Sequence, residues 1–202
     1  VLEAENSKLK ELYSENLRLK ELLGVTEKTN LVGIAADVIG YSPSTWVRSL
    51  TLNKGALQGV ARGMPVLVGS GVVGQISAAG ATSSQVLLIN DHTSGIDAII
   101  QDSRTRGIVE GADDYLRFIY VSSDANVKIG DRVITSGMDT IFPKGMFIGV
   151  VSQANNRENS LFYDINVKPA VDFSRLETVL VVTTPVQVES FEEETILKDA
   201  KE

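Results

Sequence analysis

Cysteine is absent from the 202 residues, which excludes disulfides, zinc–thiolate sites and thiol nucleophiles. Histidine occurs once, as His92, and a single imidazole does not make a typical zinc site. No apolar run approaches the ~20 residues that a membrane-spanning helix needs, and no signal peptide is visible. Lys and Arg number 19 against 26 Asp and Glu, a formal net charge of −7. The cations nowhere gather into the basic stripe that a nucleic-acid surface requires. Asp97, Asp102, Asp113, Asp114, Asp131 and Asp139 are scattered, with no D-x-D-x-D-G calcium loop among them. No metal, cofactor or nucleic acid is expected.

What remains is ordinary globular chemistry, with 43% hydrophobic and 22% charged residues and enough length for one or two domains. The chain starts at Val1 inside a helical pattern with no initiator Met. It is expected to be a fragment whose upstream part has been removed. Residues 1–23 carry heptads: Leu2, Leu9, Asn16 and Leu23 share one position, and Leu12 and Leu19 fill the other, which Glu5 breaks. A polar Asn at the first position fixes register and favours two strands. Glu15 and Lys20 suit pairing between parallel chains, and Gly24 stops the helix. The spacing therefore predicts a parallel coiled coil, a stalk of roughly 35 Å; an amphipathic helix lying on its own domain is the alternative.

From Leu31 to about Val182 the period becomes two. Short β-branched and aromatic runs such as "SLTLNKG", "LRFIYVSS", "FYDINVKPAV" and "TVLVVT" are bounded by Gly, Asn, Asp or Pro, which predicts an all-β region. One unit occurs twice. "WVRSLTL" (46–52) matches "YLRFIYV" (115–121), "GMPVLVGSG" (63–71) matches "GDRVITSG" (130–137), "GVVGQIS" (71–77) matches "GMFIGVVS" (145–152), and "VLLIN" (86–90) matches "LFYDINV" (161–167). Closing each copy into a barrel would hide its strand edges. The expected organisation is a coiled-coil helix over 1–24, small β-barrels over 25–108 and 109–185, and an acidic tail over 186–202. This mainly β arrangement is distantly like the trypsin-like double barrel. Whether the barrels are sequential or exchange a strand stays open.

That likeness makes a hydrolase worth testing. His92 lies beside Asp91 and near Ser94 in "INDHTSGID", but a serine hydrolase also needs an activated nucleophile with backbone donors around it. No Gly-Asp-Ser-Gly turn occurs. The G-x-G-x-x-G spacing of Gly69, Gly71 and Gly74 is flanked by strands with no following helix, so it is not a dinucleotide loop. The densest motif, "GDRVITSGMDTIFPKGMFIGVV" (130–151), reads as turns. Gly130-Asp131 and Ser136-Gly137 turn the chain, Thr135 sits on a strand, Pro143 and Gly145 preset a further turn, Phe142 plugs a barrel end and Lys144 faces solvent. No paired acid and base is in view.

The same motif resembles the signature of the bacterial rod shape-determining protein MreC family, in which Gly-Asp-x-Val-x-Thr-Ser-Gly leads into Phe-Pro-x-Gly and a Gly-Val strand; here these are Gly130, Asp131, Thr135, Ser136, Gly137, Phe142, Pro143 and Gly145. Glu15-Asn16, Leu22 and Gly24, with "ADVIGYSPSTWVRSLTLNKG" (36–55), "GMPVLVGSGVVGQI" (63–76) and "VLLINDHTSGIDAII" (86–100), extend the likeness from about residue 5 to 185. Asp139 and Phe147 depart from it, standing where a small residue and Pro are common. The resemblance implies a non-catalytic scaffold for cell shape. One transmembrane helix upstream would anchor it, with this region extracellular or periplasmic. It would self-associate as a parallel dimer and in larger assemblies, and link MreB and MreD to penicillin-binding transpeptidases. Tyr41 and Trp46, flanking the Pro turn of "YSPSTW", are candidate partner contacts, with a core role for Trp46 as the alternative. A degenerate trypsin-like hydrolase and a plain wall-binding module are the competing functions.

Overall fold

The computed structural model describes residues 12–17, 19–20, 22–24, 31–42, 47–155 and 161–183. Leu2, Leu9, Trp46 and the 186–202 segment lie outside these residues. The described residues up to Gly24 are helical and form α1. Among the described residues twelve strands follow: β1 Gly33–Tyr41, β2 Ser49–Leu52, β3 Pro65–Val68, β4 Gly71–Ala79, β5 Ser84–Leu88, β6 Gly95–Ile100, β7 Arg106–Ala112, β8 Tyr115–Ile119, β9 Arg132–Thr135, β10 Phe147–Asn155, β11 Asp164–Pro169 and β12 Thr178–Val182. They make two closed six-stranded barrels, so the expected mainly β double barrel is observed.

The first barrel runs β1-β12-β3-β4-β5-β2, and the second runs β10-β11-β8-β7-β6-β9. Advancing the strand number by six carries β1, β2, β3, β4 and β5 onto β7, β8, β9, β10 and β11 with the same neighbours, and β12 occupies the place that β6 holds in the second ring. The chain is therefore two six-strand repeats that exchange their final strands. This corrects the expected boundaries of 25–108 and 109–185: β6 lies before the division yet belongs to the second barrel, and β12 lies after it yet closes the first. The reason is that pairing partners are non-local. "GIDAII" and "TVLVV" are apolar strands whose composition fits either ring.

The matched segments of the repeat occupy equivalent strands and share their backbone devices. Gly63 and Gly130 have φ of 89° and 94°, and their N–H groups donate to Ile76 O and Val151 O, both at 2.8 Å. Gly74 of β4 and Gly149 of β10 let the next strand pass: a Cβ would stand 2.0 Å from Leu87 O in one and 2.1 Å from Lys168 O in the other. Any larger residue would push the ladder apart at that point.

Alternate residues fill the barrels. Leu50, Leu52, Val66, Ile76, Val86 and Val179 pack the first; Ile96, Ile100, Leu116, Phe118, Ile148 and Ile165 pack the second. Each such side chain contributes about 1.5–3 kcal/mol on burial. Leu67, Val72 and Val182 of the first barrel belong to the same buried cluster as the second barrel's interior, and a Cβ on Gly71 would stand 2.4 Å from Phe147 O. The barrels thus touch backbone to backbone. Leu22 of α1 is buried and lines a cleft of about 200 Å³ with Val68, Val171 and Leu176.

Candidate functional site

The motif loop resolves into a self-bonded knot between β9 and β10. Asp131 accepts from Lys128 N–H at 2.9 Å, closing the turn from Lys128 to Asp131 that contains Gly130. Thr135 is fully buried. Its hydroxyl donates to Pro143 O and accepts from Met146 N–H at 2.9 Å, while Gly145 N–H donates to Thr135 O at 2.9 Å. The Ser136 hydroxyl accepts from Met138 N–H at 3.0 Å, and Asp139, the residue that departs from the motif, accepts from Ile141 and Phe142 N–H at 3.1 and 2.9 Å. Phe142 is buried against the second barrel's core, and Lys144 is exposed. Gly137 has φ of 80° with the Lys144 backbone against it. These groups bond one another within the loop, except that Asp139 Oδ2 is buried without a hydrogen-bond partner.

His92 stands in the crossover from β5 to β6, where the chain passes between barrels. Its Nε2 lies 3.2 Å from Asp113 Oδ2, and Arg48 pairs with the other oxygen of Asp113 at 2.9 Å. Asp91 is buried and accepts from Arg48 N–H at 2.6 Å, Thr93 N–H at 2.8 Å and the Thr93 hydroxyl. Burial alone would raise the Asp91 pKa; these donors and nearby His92 outweigh it and hold the carboxyl below its ordinary value. Gly111 of β7 makes room, since a Cβ there would stand 2.2 Å from Asp91 O. His92 thus sits beside the Arg48–Asp113 ion pair, in a clasp of the residue just before β2, the crossover and the β7–β8 turn. Among the described residues no hydrogen bond joins it to a serine hydroxyl, so the geometry of a triad is not assembled.

Among the described residues, no three His, Asp or Glu side chains are grouped to hold a metal ion, and no helix is long and apolar enough to cross a membrane. Tyr41 is exposed along one side, and its hydroxyl donates to Leu176 O at 2.8 Å. Partial burial raises its pKa, against the opposing effect of that bond. Leu12, Asn16, Leu19 and Leu23 are all exposed on α1, whereas Leu22 beside them is not.

Sequence reasoning passed over the outer face of the second barrel. Tyr120 and Phe162 meet edge to face there, with ring centroids 5.9 Å apart and planes at 87°. They stand at the rim of an open groove of about 430 Å³. The available signal was the uninterrupted run Phe118-Ile119-Tyr120-Val121, which breaks the two-residue alternation and marks an irregular strand end.

The family model for "Rod shape-determining protein MreC, barrel core" matches residues 38–183. The chain belongs to the MreC family. The cell shape-determining protein MreC of Escherichia coli is 31% identical over 170 residues, covering 83% of this chain and 46% of that protein; the chain thus spans about half the length of that relative. A solved structure described as the major periplasmic domain of the cell shape-determining filament MreC superposes with a TM-score of 0.67 at 27% identity, covering 75% of this chain and 97% of that one. A structure described as a complex between a penicillin-binding protein (PBP2) and MreC from Helicobacter pylori superposes at 0.61 with 18% identity, over 76% of this chain and 99% of that one, a likeness of fold. These MreC relatives are named for cell shape.

Proposed function

We propose that this chain is the extracytoplasmic part of a scaffold for rod cell shape, working by binding a penicillin-binding transpeptidase rather than by turnover. The observation that carries this is the coincidence of an MreC barrel core over residues 38–183 with a relative's description as a complex with a penicillin-binding protein. The closed barrels and the self-bonded motif loop fit a rigid presenting surface. The periplasmic description of a second relative supports the location, and the family resemblance adds an upstream membrane helix and links to MreD and MreB. Exposed Leu12, Asn16, Leu19 and Leu23 support self-association through α1. Tyr41, bonded to Leu176 O yet open on one side, remains a candidate contact on the first barrel.

Affinity capture tests the proposal. The immobilised 202-residue chain should retain the purified ectodomain of the same cell's elongation transpeptidase. Passage of that ectodomain through the column without retention would overturn it.

A further inference from the structure

We infer that the outer face of the second barrel around Arg106, Arg132 and Lys168 is a docking surface for the chain's own acidic C-terminal segment, residues 186–202. This inference stands apart from the scaffold function.

The face is read from strand register. Arg106, Ile99, Ile134 and Phe147 stand side by side across β7, β6, β9 and β10. Arg132, Val150 and Lys168 make the next row across β9, β10 and β11. Arg132 and Ile134 are two apart on β9, so both rows lie on one side of the sheet. The Arg132 guanidinium joins the rows by stacking on the Phe147 ring, 4.3 Å from its centroid. Phe147 is one of the two residues that depart from the family motif. The three cations are exposed, and neither row carries a carboxylate.

The first repeat supplies the comparison. Arg132, Val150 and Lys168 match Pro65, Gln75 and Leu87 across β3, β4 and β5, and Arg106 matches Ala35, which stands opposite Leu180. All three cations therefore replace uncharged residues. In the other row, Ile99, Ile134 and Phe147 match Leu180, Leu67 and Val72. Leu67 and Val72 are buried in the cluster of the second barrel's interior. A row that the first barrel buries against its neighbour is, in the second barrel, bordered by exposed cations.

Those cations lack counterions. The chain carries a formal charge of −7, yet among the described residues no ion pair engages Arg106, Arg132 or Lys168. Their acid neighbours are Asp97, two residues from Ile99 on β6, and Asp102 and Asp131 in the adjoining turns, where Arg104 and Lys128 offset the latter two. The surplus favours an acidic occupant with apolar residues to lie on Phe147 and Val150.

The C-terminal segment has that chemistry and starts beside the face. Glu189, Glu192, Glu193 and Glu194 cluster in it, with Val188 and Phe191 among them. β12 ends at Val182, which is buried in one cluster with Val133 of β9 and Ile148 of β10. Gly71 of the same barrel meets Phe147 O. Beyond Thr183 the chain can span up to about 3.3–3.6 Å per residue, so a few residues cross strands spaced about 4.7–4.9 Å apart. Tethering raises the effective concentration of the segment at the face, so exposed ion pairs that are weak singly act together.

Paramagnetic relaxation tests the inference. A chain without cysteine accepts one nitroxide label at Ser190→Cys, and amide intensities are read in the 202-residue protein. Signals of Arg132, Phe147, Val150 and Lys168 should be lost to the label, while those of Thr51 and Gln85 on β2 and β5 persist. The loss should be reversed at about 1 M salt, where the screening length falls to about 3 Å. It should also be reversed by Arg132→Glu with Lys168→Glu, an unchanged first-barrel spectrum reporting an intact fold; if that pair unfolds, Lys168→Glu alone carries the comparison. Loss spread evenly over both barrels, or the same loss after charge reversal, would overturn the inference. Loss that passes from nitroxide-labelled chains to isotope-labelled ones in a mixture would place a second copy's tail here and overturn the intramolecular docking. No loss at all would overturn it too, and if added poly-glutamate then shifts the same signals, the occupant is an external acidic partner.

Discussion

Leu180 of β12 stands opposite Leu67 of β3, so the last strand of the chain's second repeat closes the barrel begun by its first. Val179, Leu180, Val181 and Val182 are all buried there. At about 1.5–3 kcal/mol each, they represent a stabilisation comparable with the whole net stability of a domain, about 5–15 kcal/mol. A chain ending at Ala170 is expected to lose the cooperative unfolding of its first barrel, and the isolated segment 25–108 is expected not to fold. Near-ultraviolet circular dichroism and amide dispersion check both. A well-dispersed, cooperatively melting 25–108 fragment would show that the first barrel closes without β12.

The exchange can also be trapped, because a chain without cysteine offers a clean background for cross-linking. Asp37 and Thr178 face each other across the β1–β12 pair, at the Cα separation of antiparallel neighbours, which a disulfide spans. Asp37→Cys with Thr178→Cys should oxidise to an intramolecular disulfide, seen as a faster-migrating monomer on non-reducing gels. Intermolecular species alone would place β12 elsewhere.

Gly74 and Gly149 should be costly to replace. Their Cβ atoms would sit 2.0 and 2.1 Å from neighbouring carbonyl oxygens, so Gly74→Ala and Gly149→Ala are each expected to destabilise by about 1–3 kcal/mol. Gly40, with nothing within 4 Å of a Cβ, should accept Ala within about 0.5 kcal/mol. Urea denaturation of the three variants checks the contrast.

The clasp at Asp91 sets a pH dependence. Its carboxyl is held below the ordinary value in the folded chain, by donors that outweigh burial. A depressed folded pKa contributes stability above the unfolded value of about 3.9, and the contribution is lost as pH falls through the lower folded value. Asp91→Asn should therefore destabilise at pH 7, by about 1.5–3 kcal/mol for lost charge-assisted bonds. The difference from the parent should shrink below about pH 4. A difference that stays constant down to pH 2 would remove ionised Asp91 from the clasp.

The heptad on α1 has its own check. Leu12, Leu19 and Leu23 are exposed, so sedimentation velocity at rising concentration should show dimers of the 202-residue chain and monomers once residues 1–23 are deleted. Monomers in both would remove the coiled coil.

Much of the architecture was readable from local chemistry. The turn glycines Gly63 and Gly130, the alternation through "SLTL" and "YLRFI", and the order of matched segments all depend on residues close in sequence, and each matched pair occupies equivalent strands. The exchange of β6 and β12 was not readable, because an apolar strand does not encode which of two similar rings it will close. The Tyr120 face was hidden for a different reason. "FIYV" looks like continuous core strand, and only the φ of 59° at Tyr120 turns that ring outward. At His92 the order Asp91-His92-Thr93-Ser94 suggested chemistry, whereas the fold directs the imidazole to Asp113.

Binding without turnover is tested most directly by one calorimetric comparison, in which the transpeptidase ectodomain is titrated into the chain and into its His92→Ala variant. The expected result is a saturable isotherm with the same Kd for both and a flat baseline after each injection. A missing isotherm, or a continuing heat of reaction that His92→Ala abolishes, would contradict it.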